Sequence, residues 1–229
     1  MKLALSMRVT TAATYAERRD AVAQDWAVWL DVLGYQPIFV PNSLRDPGGF
    51  FRSLGVDGLV LTGGNDLVPR PGSAGDVAPE RTRTESILIE ESLAAGIPIL
   101  GVCRGIHMIN AHFGGDLTAE LSALSPRMQN HVAQVHKVSF VESFAGQAKG
   151  SVIDVNSFHN QGLTSENVSR LLTVFAVADD GVVEGVVHPE LPVLGVQWHP
   201  ERVNAAAAFD ATLVRRFFRE GAFWKGGLS

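Results

Sequence analysis

The sequence predicts a single α/β domain over residues 1–229, with a central, mostly parallel sheet, flanking helices and extra antiparallel strands in the second half. Three observations carry this. Apolar strand-like runs alternate with helical periodicities up to about residue 130. The run 97–102 (Ile-Pro-Ile-Leu-Gly-Val) is almost wholly apolar, as a strand buried on both faces requires. Beyond residue 130, short Val-rich runs follow one another at the close spacing of hairpins.

Taken in order, residues 3–9 read as the first strand. Val22, Trp26, Trp29, Leu30 and Leu33 then recur at helical spacing, and Gly34 stops that helix. The two tryptophans read as core or interface packing. Residues 37–40 are a second strand. Gly58–Leu61 is a third, ending in the sharp loop Thr62-Gly63-Gly64-Asn65-Asp66. A helix over 85–95 stops at Gly96, and the apolar strand 97–102 follows. The later strands are expected at 135–140, 152–155, 173–177, 182–187 and 193–198. A final helix, about 204–218, carries Phe209, Leu213 and Phe217 on one face.

Composition narrows the function classes. The 229 residues can bury a core without staples. Charged residues make up 19%, the net charge is −5, and no Lys/Arg stripe forms, so a nucleic-acid partner has no electrostatic footprint. The single cysteine excludes an internal disulfide and fits a reducing compartment. The N-terminus lacks a secretory pattern and no apolar run reaches the ~18 residues of a membrane span. A cytoplasmic location is the expectation, with no membrane partner.

The chemistry centres on Gly101-Val102-Cys103-Arg104-Gly105. An apolar strand runs into a cysteine and a helical pattern begins at once, which is the thiol version of a nucleophile elbow, G-x-C-x-G. The flanking glycines suit a tight turn on which a Cβ would collide. A helix N-terminus beside the sulfur favours thiolate over thiol. A buried structural cysteine competes with this reading, and the glycines and the strand-to-helix break favour catalysis.

Near the C-terminus, Gln197-Trp198-His199-Pro200-Glu201 follows another apolar strand. A thiolate needs a base, and the base an acceptor to hold its tautomer. On spacing alone, a surface His-Pro-Glu turn explains the segment better.

The two motifs together resemble the class I glutamine amidotransferase-like superfamily. The resemblance implies a flavodoxin-like α/β fold, a Cys103–His199–Glu201 triad and a γ-glutamyl thioester resolved by water. It also implies an oxyanion hole from the backbone N–H groups of Arg104 and of the Gly63-Gly64 turn, with Asn65 beside it. Within the superfamily the chain is similar to the free-standing γ-glutamyl-γ-aminobutyrate hydrolases, the C26 peptidases. That likeness rests on the absence of a synthetase domain, on Cys103-Arg104-Gly105 running into Asn110 and Gly114-Gly115, and on Asn156-Ser157-Phe158-His159-Asn160-Gln161. Asn156, Ser157, Phe158 and His159 are thereby expected to border the substrate. Arg19-Asp20, Pro41-Asn42 and the 79–85 segment (Pro-Glu-Arg-Thr-Arg-Thr-Glu) resemble a subgroup that hydrolyses γ-glutamyl-CDP-amidate.

One departure is His107, where the superfamily pattern carries a substrate-holding Gln. Arg70, Arg81 and Arg83 read as solvated charges or as contacts to an anionic substrate. No cofactor and no metal are expected: His107/His112 and His131/His136 stand five apart, off the helical metal-pair spacing. Two other readings remain open on the sequence, a glutaminase subunit feeding ammonia to a synthetase and a non-catalytic or redox-sensing protein. A homodimer is compatible with either.

Overall fold

The computed structural model describes residues 1–72, 76–124, 128–225 and 227. In chain order its elements are β1 (Lys2–Ser6), β2 (Arg8–Thr11), β3 (Arg18–Ala21), α1 (Gln24–Leu33), β4 (Gln36–Val40), α2 (Pro47–Leu54), β5 (Gly58–Leu61), α3 (Pro79–Ala95), β6 (Ile99–Val102), α4 (Arg104–His112), β7 (Val132–Phe140), β8 (Val152–Phe158), β9 (Thr173–Ala178), β10 (Val183–Val187), β11 (Val193–Val196) and α5 (Ala207–Glu220). A nine-stranded sheet runs β4-β1-β5-β6-β11-β10-β9-β7-β8. Its first five strands are mutually parallel and the rest pair antiparallel, so the expected α/β architecture is present.

Strand alternation divides the core in two. Leu3, Leu5, Val60, Leu100 and Val102 face one side, under α1 and α5. Ala4, Leu59, Leu61 and Ile99 face the other, with Leu88 of α3 and Ile106 of α4. Each fully buried Leu, Ile or Val contributes roughly 1.5–3 kcal/mol relative to exposure. Trp26 sits in the core and meets Trp29 edge to face at 6.0 Å, so the helix-face reading of the tryptophans stands. None of the described helices is long and apolar enough to cross a membrane.

The expected first strand ends early. Main-sheet pairing stops at Ser6, whose hydroxyl accepts from the Thr62 amide at 3.0 Å. The chain then turns out into a separate hairpin, β2 against β3. Asp20 and Asn42 pin that hairpin to the end of β4, through bonds of 2.9 and 2.7 Å. Helix α3 begins at Pro79, six residues before the periodicity suggests. Its first turns bury Arg81, Thr84 and Glu85, polar residues that hide the buried face. Helix α2 has no apolar signal at its start, because Pro47-Gly48-Gly49 reads as a turn. Asp46 caps it by accepting from the Gly49 amide at 2.8 Å.

Candidate active site

Parallel neighbours end at the same edge of a sheet, and that edge collects the functional residues. Gly101 in β6 pairs with Leu61 of β5 on one side and Gly195 of β11 on the other. The next residues on these strands are Thr62, Cys103 and the segment leading to His199. The Cys103 amide donates to the Val196 carbonyl at 2.9 Å, which fixes the turn to β11.

Cys103 has φ 55° and ψ −110°, a conformation that non-glycine residues rarely adopt. The glycines two residues either side answer a close approach. A Cβ on Gly105 would stand 2.3 Å from the Leu61 carbonyl oxygen, and one on Gly101 would stand 2.6 Å from the Gly105 backbone. Helix α4 therefore packs directly onto the ends of β5 and β6, and its first residue is Arg104.

His199 is buried at the end of β11. Its Nδ1 lies 2.7 Å from Glu201 Oε1, and Asn156 clamps its backbone, accepting from the His199 amide and donating to its carbonyl at 2.9 Å each. Burial pushes the imidazole towards neutrality, but Cys103 and Glu201 outweigh it and raise its pKa to about 9. Burial likewise raises the Cys103 thiol. The His199 charge, its hydrogen bond and the Arg104 backbone N–H overcome this and pull the thiol below its ordinary value. These contacts favour thiolate on Cys103 and imidazolium on His199.

Opposite them lies the 62–65 loop. A Cβ on Gly63 would stand 2.8 Å from His199 Cε1 and 3.3 Å from Cys103 Cβ, so only glycine leaves the imidazole its place. Beneath the loop, the fully buried Arg81 guanidinium donates to the carbonyls of Thr62, Gly63 and Gly64 and, at 3.2 Å, to Asn65 Oδ1. Its Nε reaches Glu85 at 2.8 Å, and Glu85 also pairs with Arg104. Burial works against the ionised Glu85, and the two arginines outweigh it and lower its pKa. Peptides are planar and trans, so tying these carbonyls to Arg81 turns the amides of Gly63, Gly64 and Asn65 to the opposite side.

The adjoining cavity, about 340 Å³, is lined by Cys103, Arg104, His107, Gly64, Asn65, Phe158, His159 and His199, and by Arg8, Arg70 and Arg202. His107 Nε2 donates to Gln197 Oε1 at 2.8 Å, and burial lowers its pKa to about 3, so it is neutral. Phe158 stands edge-on to His199 at 5.7 Å with the Arg202 guanidinium 4.4 Å over its face.

Several expected substrate contacts are placed differently. Asn156 spends its amide on the His199 backbone. Ser157 is fully buried and donates to the His131 carbonyl at 2.7 Å. Asn65 borders the cavity, but its side-chain amide is occupied at both ends by the Val9 backbone, at 2.8 Å each. Arg81 lies under the loop and cannot meet an anion. Arg83 points to the Leu44 and Arg45 carbonyls at 3.4 Å. Arg70 does reach the cavity, where it pairs with Asp66 at 3.3 Å.

Arg8, Arg202, the Gln197–His107 contact and the Arg81–Glu85 pair escaped the sequence reading. The i, i+4 spacing of Arg81 and Glu85 was the one available signal. The fold also gathers His131, His136, His159 and Glu184, whose sequence spacing suggests nothing.

An α/β protein with a strained cysteine at a strand-to-helix turn, facing a histidine held by a carboxylate, is the class that fold and site define. The chain belongs to the Peptidase C26 family, which it matches over residues 4–201. It is 30% identical over 207 residues to the gamma-glutamyl-CDP-amidate hydrolase of Campylobacter jejuni, covering 89% of this chain and 92% of that one. It is 31% identical over 205 residues to the gamma-glutamyl-gamma-aminobutyrate hydrolase PuuD of Escherichia coli, covering 80% of each. Its fold is similar to a glutamine amidotransferase from Thermotoga maritima, with a TM-score of 0.59 at 16% identity, covering 96% of this chain and 83% of the other.

Proposed function

We propose that this chain hydrolyses the γ-glutamyl amide bond of a small conjugate and releases glutamate through a thioester on Cys103. The observation that carries the reading is Cys103 on its strained turn, sharing one cavity with the buried His199, whose far nitrogen is held by Glu201. Homology to gamma-glutamyl hydrolases supports the bond type.

In the proposed cycle, the Cys103 thiolate attacks the amide carbon. The amides of Arg104 and Gly64 receive the resulting oxyanion. Imidazolium Nε2 gives its proton to the leaving amine as the C–N bond breaks. His199 then takes a proton from water, which attacks the thioester. The C–S bond breaks, glutamate leaves, and the ion pair re-forms. Glu201 holds the imidazole in one tautomer throughout.

For the leaving group we propose an amine that carries an anion. Arg8 and Arg202 border the cavity, both partly exposed, and their nearest carboxylates stand at 3.8 and 3.7 Å. They take the place sought for Arg81 and Arg83. His107, neutral and turned to Gln197, forms part of the cavity wall.

A screen of γ-glutamyl conjugates tests both parts. Glutamate release with wild type and none with folded Cys103→Ala supports the reaction; undiminished release by that variant sinks it. Arg202→Ala is expected to raise KM for anionic conjugates and to leave it unchanged for neutral ones.

A further inference from the structure

We propose that His131, His159 and Glu184, with His136 beside them, form a Zn2+ site that fastens the β7–β8 hairpin to β10. His131 precedes β7, His136 lies on it, His159 follows β8 and Glu184 lies in β10. All four are buried, and ligand atoms of His131, His159 and Glu184 lie within 4.8 Å of one another.

The hydrogen bonds around the cluster fix where the lone pairs point. His131 Nε2 lies 2.8 Å from Asp180 Oδ2. Asp180 also accepts from the backbone amides of Gln129 at 3.0 Å and Val182 at 3.4 Å, so it faces its neighbours as an acceptor. A carboxylate only accepts, so Nε2 carries the hydrogen and Nδ1 keeps a lone pair. Ser157 Oγ stands 3.5 Å from that Nδ1 but donates its one proton to the His131 carbonyl. His159 Nδ1 lies 3.0 Å from the Gln161 carbonyl oxygen, again an acceptor, which leaves the Nε2 lone pair facing inward.

That Nε2 is 3.6 Å from Glu184 Oε1, and His136 Nε2 is 3.4 Å from the same oxygen. Among the described residues, His159 Nε2, both nitrogens of His136 and both oxygens of Glu184 are buried without a hydrogen-bond partner. Buried polar atoms left so are costly, and electron-rich atoms that face one another repel. A cation at their centre removes both penalties.

The donor set suits zinc, which takes imidazole and carboxylate ligands in fours. His131–Asp180 and His159–Gln161 supply the outer hydrogen bonds that orient metal-bound imidazoles. Tetrahedral zinc spaces its ligand atoms about 3.3 Å apart, so the side chains close in by about an ångström on binding. The role is structural: His159 borders the catalytic cavity, and the site holds it there.

The test uses the full chain as Cys103→Ala, so that no thiolate competes for metal. After chelator treatment, Zn2+ is titrated against a chromophoric competitor, and Tm is followed. One zinc per chain is expected, with Tm rising by about 5–10 °C at a hundredfold excess over Kd. Glu184→Gln and His131→Asn, made in the same background, are each expected to weaken binding by about 10–100-fold. Should Glu184→Gln fail to fold, His131→Asn decides. Co2+ in place of zinc is expected to give tetrahedral visible bands. Less than one zinc per chain, or an affinity unmoved by the variants, overturns the proposal in favour of a proton-bridged His136–Glu184 pair.

Discussion

Arg81→Lys is the most informative single perturbation of the 62–65 loop. The guanidinium spends Nε on Glu85, Nη1 on Gly63, Gly64 and Asn65, and Nη2 on Thr62. Burial lowers its pKa to about 10, and it stays charged at neutral pH. Lysine keeps the charge, but one nitrogen cannot span Glu85 and three carbonyls. At least two charge-assisted hydrogen bonds are lost, each worth about 1.5–3 kcal/mol, so stability falls by about 3 kcal/mol or more. For a chain of this size Tm drops by roughly 6–12 °C. The loop amides also lose their anchor, and loss of one oxyanion donor costs roughly 10²–10³ in kcat. Thermal melting and steady-state kinetics, taken well below the variant's Tm, check both effects. The fall is expected in kcat, with KM little changed. A variant with wild-type kcat, or one altered only in KM, refutes the anchoring role and restores Arg81 as a substrate contact.

Four further outcomes follow from the same geometry. The pH profile of kcat/KM is expected to be bell-shaped. Its alkaline limb lies near the His199 pKa of about 9 and its acid limb below the ordinary thiol range; a single rising limb, as for an isolated thiol, contradicts the ion pair. The raised His199 pKa adds stability below its unfolded value, and that contribution fades as pH rises through about 9. The Tm gap between wild type and His199→Gln should therefore narrow across that range. Gly63→Ala places a Cβ 2.8 Å from His199 Cε1, so activity should fall at least tenfold with the melting curve nearly intact. Asn156→Ala frees the His199 backbone and should lower kcat without changing KM, whereas a KM effect marks a substrate contact.

Much of the fold was legible because its signals are local. The apolar run 97–102 announced a strand buried on both faces, and Gly34 and Gly96 ended their helices with φ of 81° and 67°. What misled was burial of polar groups. Arg81, Thr84 and Glu85 made the first turns of α3 look exposed, and Ser6 ended a strand that Val9 promised to extend. The Gly-x-Cys-x-Gly turn was readable because its glycines answer contacts made by neighbouring strands. The placement of Asn156 and Asn65 was not. Both lie in segments that border the cavity, and only tertiary contacts decide that their amides serve the backbones of His199 and Val9 instead. The His131–His136–His159–Glu184 cluster was hidden for a similar reason: two members lie on β7 and β10 and two just outside β7 and β8, and these come together only through the antiparallel half of the sheet.

The central claim is a covalent one, a γ-glutamyl group carried on Cys103 while the amine departs. Intact-mass spectrometry after rapid acid quench, with a γ-glutamyl conjugate in excess, measures it directly. The expected result is a chain heavier by one glutamyl group, with the adduct mapped to Cys103 and absent from Cys103→Ala. Glutamate release with no adduct at any quench time, together with an active Cys103→Ala, contradicts the account.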